Sequence, residues 1–191
     1  MKKIFLILIL FFGSISISNA EVNRIVAGNK DAKITIIAYE SLTCSHCADF
    51  HKDIYPQLKK DYIDTGLAKI EFRHFPLDVA AFNASKISQC KINESLKILN
   101  SLYSNQQEWV RGNTVEEINE NLKNFIKNQG FEINFEKCIN NKEIEDFVLN
   151  DRIEGVKKFK VNATPTIIIN DEKFEKTLNY KNLKKSLEKL I

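Results

Sequence analysis

Residues Lys33–Tyr39 (KITIIAY) are β-branched and nearly all apolar, the pattern of a central strand buried on both faces. Such a strand needs a covering layer on each side, which restricts the chain to a sheet flanked by helices. Ser41-Leu42-Thr43 follows it, then Cys-Ser-His-Cys at 44–47. A helical pattern then runs from Ser45 to about Asp64, with Phe50, Ile54 and Leu58 on one face. Pro56 removes an N–H from the middle of that helix and predicts a bend or a break, and Thr65-Gly66 ends it. Ala68–Phe75 (AKIEFRHF) alternates apolar with polar, as a half-buried strand should.

The flanks complete an α/β order. Arg24-Ile25-Val26 reads as a first strand. From Leu77 to about Asn150 the chain turns to Lys, Asn, Glu, Leu and Ile at helical spacing, with helices predicted near 78–91, 94–109, 114–128 and 141–160. Thr166–Asn170 is a β-branched strand, Asp171-Glu172 a turn, Lys173–Lys176 a further strand and Tyr180–Leu190 an amphipathic helix. The predicted division is 21–76 and 151–191 as two halves of one sheet domain, with 77–150 a helical insertion between them.

The first 20 residues read as a leader. Met1-Lys2-Lys3 is basic, Ile4–Phe12 is an unbroken apolar run, and Ser18-Asn19-Ala20 offers a cut after Ala20. The apolar run gives way to Gly13-Ser14 well short of the roughly 20 residues a membrane anchor needs. Cleavage would leave 171 residues, enough for one domain with a full core. The whole chain has 28 basic and 25 acidic residues, and losing Lys2 and Lys3 brings it close to neutrality. No strong field for nucleic acid is expected.

An exported chain meets oxidising conditions, where disulfides persist. Its four cysteines are a close pair, Cys44 and Cys47, and two distant singles, Cys90 and Cys138; three pairings are open. Cys44 falls at the first turn of its helix, where unpaired N–H groups and the helix dipole favour a thiolate. His46 can add a hydrogen bond or a positive charge. A stabilised Cys44 thiolate is a good leaving group and makes the pair an oxidant. Cys47, one turn further in, would be the more buried resolving partner. As a staple the pair would be poor: loop-closure entropy gives a four-residue ring only about 2 kcal/mol, against about 4 for a ring of fifty. As half a zinc site it lacks a second close pair, and His51 and His74 lack ligand spacing. No metal and no cofactor are expected. Downstream, Val161-Asn162-Ala163-Thr164-Pro165-Thr166 places a proline just before a strand, a candidate cis bond in a loop that could face Cys44.

Taken together, YESLTCSHCADFH at 39–51, FRHFPLD at 72–78 and VNATPTIIIN at 161–170 resemble the DsbA family of thioredoxin-fold oxidoreductases. The resemblance covers most of the chain after the leader. It implies a thioredoxin fold interrupted by a helical domain, residence in the periplasm, and donation of the Cys44–Cys47 disulfide to reduced exported proteins through a mixed disulfide on Cys44. Thr164 and Pro165 would bind substrate backbone. A quinone-linked membrane oxidoreductase would reoxidise the pair. Cys90 and Cys138 would form a structural crosslink in the helical domain, leaving 44–47 as the redox pair. Family isomerases carry an N-terminal dimerisation domain for which residues 21–32 are too short, and the chain is expected to be a monomer. The alternatives are a reductase, an isomerase or a non-catalytic peptide-binding chaperone. Two departures stand out. Ser45-His46 replaces the frequent Pro-His, and Ala38 stands where many members have an acid six residues before the first cysteine. Glu40, two residues closer, is read as a solvated strand-end charge, with proton transfer as the alternative. His74 and Trp109 are read as structural and core residues.

Overall fold

The computed structural model describes residues 22–191; the leader expected at 1–20 lies outside them. Five strands form one sheet in the order β1-β3-β2-β4-β5: β1 (Ile25–Gly28), β2 (Ile34–Glu40), β3 (Ala68–His74), β4 (Thr166–Ile169) and β5 (Glu172–Lys173). β2 runs parallel to β3 and antiparallel to β4. Side chains of β2 alternate between two cores. Ile36 and Ala38 enter the larger one, with Leu58, Leu102, Trp109 and Leu122; Ile37 and Tyr39 enter a smaller one with Phe75, Phe159 and Ile168. This is the two-faced burial that the apolar run demands.

The helix after β2 does not break at Pro56. It runs as α1 (Ser45–Asp49), a π-helical turn (Phe50–Ile54), α2 (Tyr55–Leu58) and a second π-helical turn (Lys59–Ile63). Proline lacks the N–H that would close the turn before it, and widening the helix there keeps the chain continuous.

Between β3 and β4 lie α3 (Val79–Gln89), α4 (Ser95–Ser104), α5 (Gln106–Trp109), α6 (Val115–Asn128), α7 (Phe135–Ile139) and α8 (Lys142–Phe159), and α9 (Tyr180–Leu187) closes the chain. The helix predicted at 94–109 is thus interrupted at Asn105, and α7 was not predicted at all. α3, α6, α7, α8 and α9 begin with a side chain from Asp78, Thr114, Asn134, Asn141 or Asn179 accepting a backbone N–H, the preferred N-cap chemistry. The boundary predicted at 150 falls inside α8, which is unbroken and packs its C-terminal half against the sheet. Asp151 accepts from the His74 N–H at 3.1 Å and pairs with Arg24, while Glu154 pairs with Arg24 and Arg73.

The β4–β5 turn sits at Asn170-Asp171, one residue earlier than predicted. Both have positive φ, 46° and 67°, which Asn and Asp tolerate and which this hairpin turn requires. The second strand is correspondingly short, Glu172–Lys173 rather than 173–176.

Gly155 marks the closest approach of α8 to β2. A Cβ there would lie 2.8 Å from Tyr39 Cε1 and 3.0 Å from Cδ1, and Tyr39 is wholly buried. Alanine would gain up to about 1 kcal/mol in helix propensity, but overpacking costs about 1–3 kcal/mol. Gly155→Ala is therefore expected to lower the denaturation midpoint; an unchanged or raised midpoint would show that Tyr39 yields.

Candidate active site

Cys44 is the N-cap residue of α1, in extended conformation, with its N–H bonded to the Ser41 carbonyl at 3.0 Å. Its own carbonyl accepts the N–H groups of Cys47 and Ala48. The loop before it is fixed from three sides. The Thr43 hydroxyl donates to Asp78 at 2.6 Å, the Leu77 N–H donates to the Ser41 hydroxyl, and Gln106 Nε2 donates to the carbonyls of Leu42 and Cys44 at 2.8 and 3.0 Å. Gln106 belongs to the helical insertion, so that insertion holds the cysteine loop directly. Nothing in the sequence singled it out, because the contact depends on how α5 docks.

The 161–166 segment arrives at the same place. β4 pairs antiparallel with β2, setting Thr166 opposite Tyr39, so the turn before β4 lies beside the loop after β2. The Thr164–Pro165 bond is cis, and Cys44 Sγ lies 3.4 Å from the Thr164 carbonyl oxygen. Cys44, Thr164 and Pro165, quoted from opposite ends of the chain, are thus brought together.

Cys44 and Cys47 are free thiols in this structure, Cys44 partly exposed and Cys47 fully buried. The Cys44 pKa is lowered to about 5. The hydrogen bond from the Cys47 thiol is the main cause; it outweighs the opposing cost of burial and is joined by the Thr164 side chain and the N–H groups of Cys47 and His46. Cys47 is pushed strongly upward, first by burial, then by its hydrogen bond to Cys44 and the negative charge of Glu40. One sulfur is held as thiolate, its neighbour as thiol.

His46 enters this balance through its backbone N–H. Its imidazole is 82% exposed, with Nδ1 3.6 Å from Asp49, and makes no hydrogen bond to either sulfur. Glu40 also departs from the solvated charge predicted for it. It is buried, and its Oε2 lies 2.9 Å from Nε2 of the equally buried His51. The sequence signal for His51 is its spacing: four residues after Cys47, it shares that cysteine's face of the helix. His74 is buried as a structural residue, bonded to Gln89, with its pKa lowered to about 4 by burial. Trp109 is core, its Nε1–H donating to the Leu102 carbonyl. Cys90, at the end of α3, and Cys138, in α7, form a disulfide with Cα atoms 5.8 Å apart.

Among the described residues no group of side chains is arranged to hold a metal ion, and no helix is long and apolar enough to cross a membrane.

Comparison with known proteins places this geometry. The sequence profile of the family described as Thioredoxin matches residues 20–189. A Rickettsia prowazekii protein, provisionally named protein-disulfide oxidoreductase RP025, is 28% identical over 173 residues, 88% of this chain; the match spans only 62% of that longer relative. Disulfide bond formation protein D of Bacillus subtilis is 26% identical over 86% of this chain and 75% of its own length. The crystal structure of Wolbachia pipientis alpha-DsbA1 superposes with a TM-score of 0.78 at 29% identity, covering 88% of this chain and 90% of that one. The chain belongs to the thioredoxin family, and with its helical insertion and second disulfide it is similar to DsbA proteins.

Proposed function

We propose that this chain is a protein dithiol oxidase of the periplasm, exported by way of residues 1–20, and that Cys44 and Cys47 carry its chemistry. The observation that carries this reading is the asymmetry of the two sulfurs, the partly exposed one at the helix start held as thiolate above about pH 5 and the other a buried thiol. A disulfide whose reduced form is stabilised in this way is a strong oxidant.

The steps balance. A substrate thiolate attacks Cys44 Sγ in the Cys44–Cys47 disulfide; a substrate–Cys44 bond forms, the Cys44–Cys47 bond breaks, and Cys47 leaves and takes up a proton. A second substrate thiolate attacks the substrate sulfur of the mixed disulfide and expels Cys44 as its stable thiolate. The substrate loses two electrons and the enzyme gains them. A membrane oxidoreductase that passes electrons to quinone restores the disulfide. Thr164 and Pro165, beside Cys44 Sγ, are placed to meet extended substrate backbone without reading its sequence. Cys90–Cys138 is a structural crosslink outside this cycle, and the working form is a monomer.

The test is equilibration with glutathione. An oxidase should show a potential well above that of glutathione, toward the −120 mV end of the family of thiol redox proteins, and a value near −270 mV would make the chain a reductase. The roles of the two cysteines separate in one variant. Cys47→Ser should accumulate substrate mixed disulfides on Cys44, visible as adducts on non-reducing gels. Adducts that require Cys44→Ser instead would reverse the assignment.

A further inference from the structure

We infer that the cleft between α1 and α4–α5 is a second substrate subsite. It takes the polypeptide that flanks the reacting cysteine, and it favours a basic side chain two residues from that cysteine and an acidic one four residues from it. The inference rests on the thiol–disulfide chemistry proposed above and names the substrates that chemistry selects.

A substrate cysteine that attacks Cys44 Sγ brings polypeptide with it on both sides, and Thr164 and Pro165 can meet only one of them. The Thr164 carbonyl lies 3.4 Å from the Cys44 sulfur, whereas Gln106 donates to the main-chain carbonyl of Cys44 at 3.0 Å. Gln106 is also a wall of a cleft of about 570 Å³ in which Thr164 and Pro165 take no part. That volume is in the range of ligand pockets. The cleft therefore begins at the nucleophile, on the side that the cis-proline loop leaves free.

One wall is a single face of the active-site helix, Ser45, Asp49 and Lys52, spaced by four residues and then three. The insertion supplies Gln106 and Glu108, and the buried Tyr103 adds apolar surface. The charges are uncommitted. Among the described residues the side chains of Lys52 and Glu108 make no hydrogen bond or ion pair, and Asp49 has only the exposed His46 beside it, at 3.6 Å. A helix rises about 1.5 Å per residue, which sets Asp49 about 7 Å and Lys52 about 12 Å beyond Cys44 along its axis. An extended peptide advances about 3.3 Å per residue with alternate side chains on one face, so its second and fourth residues from the cysteine arrive about 7 and 13 Å away on the same side. The second meets the carboxylate of Asp49 and the fourth the ammonium of Lys52. Glu108 gives the cleft a second carboxylate against one ammonium, so the basic contact is the stronger.

The test mixes the oxidised full-length chain with reduced peptides that carry two cysteines joined by a short flexible linker. In one peptide Lys stands two and Glu four residues outward of each cysteine; in its isomer the two are exchanged, and in a third both are Ala. Flanks on both cysteines present either chain direction to the cleft. The rate at which the protein disulfide is lost is divided by the peptide's own rate with oxidised glutathione, which removes the effect of the flanking charges on its thiols. The first peptide should react about threefold to tenfold faster than its isomer, as expected of two partly exposed ion pairs each worth about fivefold at most. High salt should shrink that ratio toward one. Exchanging the charges, Asp49→Lys with Lys52→Asp, should invert the ratio, which damage to the fold would not do because it slows both peptides alike. Glu108→Gln should lower the ratio without inverting it, and decides the matter if the exchanged protein does not fold. Equal rates for the two isomers in the wild-type chain overturn the subsite. So does a ratio that keeps its sense in the exchanged protein, because the charges that set it would then lie elsewhere. A wild-type chain that leaves even the Ala peptide reduced would instead sink the oxidase reading itself.

Discussion

The equilibrium between this chain and glutathione is expected to shift toward reduced protein by about tenfold for each pH unit from 5 to 8, or about a thousandfold across the range. Below pH 5, reducing the Cys44–Cys47 disulfide takes up two protons, as it does for glutathione, and the two potentials move in parallel. Above about 5 Cys44 remains a thiolate, so reduction takes up only one. The potential then falls by about 30 mV per pH unit against about 59 mV for glutathione, and 30 mV in this two-electron couple is a factor of ten. The same group sets a stability difference. Its folded pKa is depressed, so its contribution to the reduced state is complete above the ordinary thiol value near 9, declines as pH falls, and is gone below about 5. Over that window the reduced form should gain on the oxidised form by up to about 1.4 kcal/mol per pH unit, less what solvent screening removes at a partly exposed sulfur. Cys47 works in the other sense: held as a thiol, it weakens the folded reduced state once pH rises past 9, where an unfolded chain would ionise it. Measurements from pH 5 to 8 therefore isolate Cys44. A pH-independent equilibrium constant would mean that its sulfur is not held as thiolate.

Those parts of the site fixed by local chemistry could be read before any coordinates. Cys-X-X-Cys after a doubly buried strand places Cys44 at a helix start, because the strand must end at the sheet edge and the helix must begin there. The proline at 165 could be offered as a loop facing Cys44, but nothing local says that β4 pairs with β2, the contact that puts it there. What escaped depends on packing between distant segments. Glu40 sits at a strand end, where an acid is ordinarily solvated; only the structure shows it buried and paired with His51, whose ring stacks on Tyr103. Gln106, the first residue of α5 after the helical run is interrupted at Asn105, reaches the cysteine loop. The short α7, five residues long, offers too few apolar repeats to stand out by period, and it carries Cys138. At His46 the structure puts the backbone N–H, and not the imidazole, against the sulfur. A histidine between two cysteines invites a side-chain role, but the first turn of a helix directs it outward and leaves the backbone N–H to face the sulfur.

Replacing both Cys90 and Cys138 with alanine is expected to lower stability by roughly 3–4 kcal/mol, the loss of loop-closure entropy for two residues separated by 48, and to leave the Cys44 titration unmoved. The crosslink ties the end of α3 to α7 and encloses α4, α5 and α6, the segment that stacks Tyr103 on His51 and supplies Gln106 to the cysteine loop. Against the 5–15 kcal/mol that ordinarily holds a domain together, such a loss is large. It should not exceed the entropic figure, because α3 and α7 keep a second tie. The buried Lys86 Nζ donates to the Ile139 carbonyl at 2.6 Å and lies 3.7 Å from Glu145. The α3–α7 contact should therefore survive in the folded double variant, with Gln106 still on the loop carbonyls and the Cys44 thiolate still protected. Urea denaturation with the active-site pair reduced throughout would give the stability difference, and ultraviolet absorbance of the thiolate would follow Cys44. A variant as stable as wild type would show that the crosslink does not constrain the unfolded chain. A variant whose Cys44 titrates like a free thiol would show that the crosslink holds the redox site in place through α5, and so belongs to the redox chemistry.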